Sequence, residues 1–185
     1  MLAVTEETTN GADVTAPQVD PEMLKKLGVL RAQVRENFGK VTMAMMALPR
    51  YRDQSLGDLQ HLVLEPLIRD RIAIAYTGTE TPDAATDIAG LAIWASVSEE
   101  VDEKLRGQIK SGVFPIRLKP DEWASGDINW LFDVIAPDQK TAVQVIANFK
   151  QVIKNGDLRL HPLITRLVNR ETLEKMGAGR EEKGE

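Results

Sequence analysis

The chain has 185 residues, a formal net charge of −5 at pH 7, 43% hydrophobic and 28% charged residues, and no cysteine. This composition predicts one globular domain with a sizeable core, while the acidic balance argues against broad nucleic-acid binding. The absence of cysteine excludes disulfides, thiolate metal sites and a cysteine nucleophile, and the two histidines, His61 and His161, show no metal-ligand spacing. No apolar run approaches the roughly 20 residues that cross a bilayer, and no basic-then-apolar leader opens the chain, so we expect a cytoplasmic protein without a transmembrane segment.

The first half of the chain shows two helix starts. Asp20 followed by Pro21 is an N-cap with proline at the first helical position. Apolar residues at three- and four-residue spacing then predict a helix that ends before Pro49. Ser55 and Asp58 have the spacing of a capping box, with Asp in place of Glu, and predict a second helix.

The second half of the chain alternates strand and helix patterns. We predict strands over residues 71–76 and 88–97, a helix capped by Ser98, a strand within residues 125–137, and a helix that ends at Gly156. Residues 158–168 fit either a strand or a short helix. The order of these elements predicts an α/β domain layered around one mixed sheet.

The strand within residues 125–137 contains a carboxylate in an apolar setting. Its two faces read Ile128, Trp130, Phe132 and Val134 on one side, and Asn129, Leu131, Asp133 and Ile135 on the other. An ionised carboxylate buried without partners costs several kcal/mol or acquires a raised pKa. Asp133 is therefore either a structural carboxylate paired with an arginine or lysine, or a residue kept for chemistry.

Two sequence blocks are specific enough to indicate a family. The first is GLAIWASVSEEVDEKL, residues 90–105, and the second is DEWASGDINWLFDVIAP, residues 121–137. With the helix that follows, they resemble the toxin-activating lysine acyltransferases, which activate RTX protoxins such as haemolysin. The resemblance covers roughly residues 47–149.

The resemblance implies a single-domain, GNAT-like fold with a mixed sheet flanked by helices, and a homodimer. It also implies transfer of a fatty acyl group from acyl carrier protein to the ε-amine of internal lysines of an RTX-type protoxin or related secreted protein, with no bound cofactor and no metal. The acyltransferase-like domain would span residues 21–170, between a disordered tail at 1–20 and a charged tail at 171–185.

The family's active-site pair is a histidine and an aspartate, and the aspartate corresponds to Asp133. Counting back from LEPLI, residues 64–68, the histidine position falls in YRDQS, which contains no histidine. Three replacements remain open: Tyr51, Asp53, or His61 from within the second helix. Loss of catalysis is the fourth possibility, and it predicts a scaffold or chaperone that binds acyl carrier protein or the partner protein.

Further candidates flank the Asp133 strand. The turn at Ser125 and Gly126 could present backbone N–H groups to an oxyanion, and Trp123 and Trp130 are markers of the substrate side. The stretch APDQKTAV, residues 136–143, lacks the glycine-rich turn that holds the pyrophosphate of coenzyme A, which favours a carrier-protein donor. Basic residues that could meet an acidic carrier are Arg50 and Arg52, or Lys150, Lys154 and Arg159. A small amine or hydroxyl acceptor is an alternative to lysine.

Overall fold

A computed structural model describes residues 20–76, 78, 88–152 and 158–168. The predicted tails at 1–20 and 171–185 lie outside these ranges apart from Asp20, as does Gly156, the predicted end of the last long helix. The chain divides into two compact units, residues 1–33 and 34–185. All of the described strands belong to the second unit.

The described residues form an α/β arrangement with short helical turns between the longer elements. The helices are α1 (Pro21–Met46), α2 (Glu65–Ile68), α3 (Glu99–Lys110), α4 (Gln139–Val152) and α5 (Pro162–Leu167), and the strands are β1 (Ile72–Tyr76), β2 (Ile88–Val97), β3 (Ile128–Ile135) and β4 (Leu158–Leu160). The segment that fitted either a strand or a helix is therefore both in succession. None of the helices in the described ranges combines the length and apolar character of a bilayer-spanning segment.

The helix starts follow the capping residues read from the sequence. Ser98 caps α3 by accepting a hydrogen bond from the Val101 N–H at 3.4 Å. Ser55 and Asp58 form the predicted capping box, each side chain bonding to the other residue's backbone N–H. The segment after this box is not one regular helix, because it begins as a 3₁₀ turn and continues as a π-helix over Gln60–Leu64 before α2. Single π turns are frequent at functional sites.

The four strands form one sheet in the order β1-β2-β3-β4. The β1–β2 and β2–β3 pairs are antiparallel, and β3 pairs with β4 in parallel. This mixed sheet, flanked by helices, confirms the predicted GNAT-like α/β fold.

Two hydrophobic clusters cover the two faces of the sheet. The first cluster joins one face to the end of α1, the π-helix and α3, and includes Val41, Met45, Val63, Val101 and Leu105. The second joins the other face to α4 and α5, and includes Val145, Ile146, Phe149 and Ile164. Burial of these side chains is the main favourable term that holds the helices on the sheet.

The pairing of β2 with β3 contains a bulge beside the candidate aspartate. Ile93 pairs with Asp133, but the next residue, Trp94, pairs with Leu131. Phe132 is therefore an extra residue on β3. A bulge of this kind interrupts the alternation of side chains and re-aims the residues beside it.

The bulge corrects the predicted faces of β3. Strict alternation placed Asp133 on the opposite face from Trp130 and Phe132. In the structure Phe132 and Asp133 line one cavity, and Trp130 and Phe132 belong to the first cluster, whereas Leu131 and Val134 belong to the second. Asp133 therefore faces the same side of the sheet as the two aromatic residues.

Gly126 is required by a close approach of two backbone segments. A Cβ added at Gly126 would lie 2.7 Å from the Ser98 Cα and from the Val97 carbonyl oxygen. We expect Gly126→Ala to lower the free energy of unfolding by about 1–3 kcal/mol, because the backbone must move to relieve the overlap. Gly107→Ala is the matched control, since Gly107 is exposed in the middle of α3 with nothing within 4 Å of its added Cβ.

The measurement is urea denaturation of both variants. Gly107→Ala should raise the free energy of unfolding by about 0.5–1 kcal/mol, since alanine is the better helix former. Equal stability of the two variants would show that the approach of the two segments at Gly126 is not tight.

Candidate active site

A cavity lies on the face of the sheet that carries the first cluster. It holds about 380 Å³ of empty space, part of it open to solvent. Its apolar walls are Leu62, Ile93, Phe114, Pro115, Ile116, Trp123 and Phe132, and its polar side chains are Tyr51, His61, Asp133 and His161. An apolar cavity in which a few polar groups converge is the usual form of a ligand or active site.

The carboxylate of Asp133 is 2% exposed and every acceptor position on it is used. Oδ2 accepts hydrogen bonds from the Arg50 Nε at 3.0 Å and the Tyr51 hydroxyl at 2.5 Å. Oδ1 accepts from the Arg50 Nη2 at 3.0 Å and the Val134 N–H at 2.8 Å. Arg50 is therefore the kind of partner that was predicted for Asp133 as a structural carboxylate.

These hydrogen bonds determine the protonation states of Asp133 and Tyr51. Burial raises the pKa of Asp133, against the opposing effects of Arg50 and Tyr51. Four donors point at the carboxylate, so a protonated carboxyl group would find no acceptor there, and the geometry suits the ionised form. Burial and the Asp133 charge also raise the pKa of Tyr51 well above its usual value. Asp133 therefore orients its neighbours, and Tyr51 keeps its proton.

The 3₁₀ turn Pro49–Tyr51 places both partners of the aspartate. The Arg50 Nη2 also donates to the Val134 carbonyl at 3.2 Å, and the Tyr51 ring packs against Phe114 with centroids 5.5 Å apart. Sequence reasoning considered Arg50 only as part of a surface patch. The buried aspartate was the signal for a nearby cation, but no local pattern shows which arginine supplies it.

Both histidines line the cavity. Their positions in the sequence did not show that they would lie there. The Nε2 atoms of His61 and His161 are buried and find no hydrogen-bond partner among the described residues. Burial lowers the pKa of both rings, with a further lowering by Arg117 at His61 and by Arg166 at His161. Both rings are therefore neutral near pH 7. Sequence reasoning noted His161 but assigned it no role.

The two tryptophans of the Asp133 block have different surroundings. Trp123 lines the cavity, packs edge-on against Phe132 with centroids 6.1 Å apart, and has an Nε1 without a partner among the described residues. Trp130 is absent from the described cavity lining, and its Nε1 donates to Asp102 at 2.7 Å. Trp123 therefore forms part of the cavity wall, whereas Trp130 ties β3 to α3.

Three other candidates lie apart from the described cavity lining. The Ser125 hydroxyl accepts a hydrogen bond from the Ser98 N–H at 2.9 Å, and the Gly126 N–H donates to the Ser96 carbonyl at 3.2 Å. These bonds secure the turn to the start of α3, so the Gly126 N–H is not available to an oxyanion. Asp53 is exposed. Of the three replacements considered for the missing histidine, only Tyr51 and His61 reach the cavity.

The proposed basic patches are partly consumed by ion pairs. Arg50 binds Asp133, and Arg159 forms an ion pair with the buried carboxylate of Asp102. Lys154 lies outside the described residues. Arg50 and Arg159 are therefore engaged within the fold and are not free cations for an acidic carrier.

A comparison with protein-family models matches residues 30–164 to the RTX toxin acyltransferase family. The match begins within α1 and ends within α5, so it is wider than the predicted 47–149 and includes every residue that lines the cavity. A search of curated proteins finds no significant match.

Proposed function

The chain belongs to the RTX toxin acyltransferase family, and from this premise we propose that it moves a fatty acyl group from acyl carrier protein to lysine ε-amines of an RTX-type protoxin or related secreted protein. One observation carries the proposal for this chain. Its cavity brings an anchored Tyr51–Asp133 pair and two neutral imidazoles together among apolar walls. Aminolysis of a thioester needs a base and hydrogen-bond donors, and these side chains can supply both.

Transfer to lysine depends on removal of a proton from the amine. A lysine with a pKa of about 10.4 is almost entirely protonated near pH 7, and its ammonium form is not a nucleophile. The thioester supplies its own activation, so the protein must provide a base and a means to orient the amine. Asp133 is saturated with donors and Tyr51 retains its proton, which leaves an imidazole as the base.

His61 suits the role of base. Its proton can occupy Nδ1, which leaves the buried Nε2 as an acceptor toward the cavity. The lysine ammonium first loses one proton to solvent, and the neutral amine nitrogen then attacks the thioester carbonyl carbon as His61 takes a second proton from it. The C–S bond then breaks, and the departing thiolate receives that proton. In this proposal the Tyr51 oxygen, held by its hydrogen bond to Asp133, accepts a hydrogen bond from the incoming amine.

The start of α4 supports a carrier-protein donor. The Asp138 Oδ1 accepts from the Thr141 N–H at 2.8 Å and from the Thr141 hydroxyl at 3.1 Å. The first turn of α4 is thus capped by the chain's own carboxylate, in the position where a coenzyme A pyrophosphate would need free N–H groups. A phosphate there would meet negative charge. Acyl carrier protein presents its thioester on a prosthetic arm and does not need this site.

The test is reconstituted transfer. The purified chain is incubated with an RTX protein and acyl carrier protein loaded with C8 to C16 acyl chains, and the products are analysed by intact mass and peptide mapping. We expect an acyl mass on lysine with the carrier donor and much slower transfer from the matching acyl-coenzyme A. Reactions without the chain control for spontaneous acylation. Acylation of no residue by any donor would contradict the proposal.

A scaffold function is the second candidate, and the saturation of Asp133 favours it. An aspartate held by Arg50, Tyr51 and a backbone N–H has the bonds of a purely structural carboxylate. A scaffold would bind acyl carrier protein or the RTX protein and release both unmodified. Co-purification of the chain with either partner, without any acyl mass on the RTX protein, would therefore favour the scaffold function over the transferase.

A further inference from the structure

Two N–H groups in the cavity wall have no acceptor. Trp123 is 3% exposed and His161 is 9% exposed, and the Trp123 Nε1 and His161 Nε2 atoms find no partner among the described residues. Burying a donor without an acceptor costs free energy, and native proteins seldom leave such groups unpaired. Two such groups in one cavity point to an oxygen atom of a ligand.

The hydrogen bond at the other nitrogen of His161 shows that Nε2 is the donor. The Nδ1 atom accepts from the Leu163 N–H at 3.1 Å, where His161 caps α5. Nδ1 is therefore unprotonated, and the proton of the neutral ring is assigned to Nε2. The backbone N–H of His161 donates to the Leu131 carbonyl at 2.9 Å, and this bond fixes His161 beside β3. His161 is thus held as a donor and does not compete with His61 as a base.

The backbone and ring of Trp123 are also held by neighbouring residues. Its carbonyl accepts from the Ser96 N–H at 3.2 Å and from the Arg71 Nε at 3.1 Å. Its ring packs against Phe132. An indole N–H is only ever a donor, so this group also needs an acceptor.

We propose that the Trp123 Nε1–H and His161 Nε2–H groups bind the carbonyl oxygen of the acyl thioester. The inference rests on the proposed function and assigns the oxyanion site to these two side chains, in place of the Ser125–Gly126 turn. When the amine attacks, the carbonyl π electrons move to this oxygen. The two N–H groups stabilise the negative charge until the carbonyl re-forms and the thiolate leaves. Donors fixed in advance around a developing oxyanion are a large source of rate acceleration.

Two conservative variants test this assignment. Trp123→Phe removes the N–H and keeps an aromatic ring, and His161→Asn keeps an oxygen that can cap α5 but shortens the donor arm. We expect each variant to lower kcat about 10²–10³-fold with little change in KM. Trp130→Phe is the matched control, because it also removes an indole N–H, but one that binds Asp102 outside the described cavity lining. Its kcat per folded molecule should stay within a few-fold of wild type.

A binding measurement separates this inference from the proposed function. Acyl carrier protein carrying a C12 thioester is compared with carrier protein carrying the C12 alkyl thioether, which lacks the carbonyl oxygen. Wild type should bind the thioester about 2- to 10-fold more tightly, and each variant should lose this preference. If wild type fails to transfer but shows the preference, the proposed function falls and the oxygen site stands.

The opposite results overturn the inference. Wild type that transfers the acyl group while Trp123→Phe and His161→Asn keep their kcat would leave the proposed function intact and exclude both donors. Equal binding of thioester and thioether by wild type would exclude them as well. If Trp123→Phe does not fold, the His161→Asn results decide alone.

Discussion

Replacing Asp133 by alanine is expected to abolish acyl transfer and to lower the free energy of unfolding by about 3–5 kcal/mol. The substitution leaves the Arg50 guanidinium, whose side chain is 19% exposed, without its carboxylate and leaves the buried Tyr51 hydroxyl without an acceptor. The Tyr51 hydroxyl is then no longer held in position to bind the incoming amine. Urea denaturation gives the stability change, and mass spectrometry of the RTX protein gives the transfer, at a temperature where the variant is folded.

Asp102→Ala is the matched control for this prediction. Asp102 is also a buried carboxylate with arginine partners, but it binds Arg106, Arg159 and Trp130 and does not line the described cavity. Its removal should also destabilise the fold, because it leaves the Trp130 Nε1–H and the Arg159 guanidinium without their acceptor. Transfer per folded molecule should stay within a few-fold of wild type. Equal loss of transfer in both variants would mean that Asp133 acts on stability alone.

Replacing His61 by glutamine is expected to slow transfer by about 10²–10⁴-fold, the usual contribution of a general base. The structure leaves His61 as the group in the cavity with a nitrogen free to accept the amine proton. The expected change in stability is small, because no hydrogen bond to the His61 ring is present among the described residues. Single-turnover rates with saturating acyl carrier protein measure the effect on the chemical step. A loss of less than about tenfold would exclude His61 as the base.

The pH profile gives the same assignment a second readout. Burial and Arg117 lower the pKa of His61, while Asp58 acts in the opposite direction. A lowered pKa means that the ring stays neutral until the pH falls below the usual histidine value of about 6.5. Wild-type kcat/KM should therefore decline on the acid side only below that pH. His161→Asn should keep this acid limb because it retains His61, whereas His61→Gln should lose it.

Local chemistry in the sequence was enough to predict the element starts and the family. The Ser55–Asp58 capping box and the Ser98 cap depend on residues within three positions of each other, so neighbouring residues alone specify them. The paired blocks at residues 90–105 and 121–137 identified the family without any knowledge of contacts. Asp133 was recognisable because a carboxylate in an apolar strand requires a partner or a role.

The arrangement of the site depended on contacts between residues distant in sequence. Which side Asp133 faces is decided by the bulge at Phe132, and that bulge arises from the register between β2 and β3. Arg50 and Tyr51 reach Asp133 across more than 80 residues, and His161 joins the cavity only because β4 pairs with β3. Strand register and packing are properties of the whole folded chain, since a shift of one residue moves a side chain to the other face of the sheet. The sequence could therefore name the catalytic candidates, whereas the fold selected which of them share a cavity.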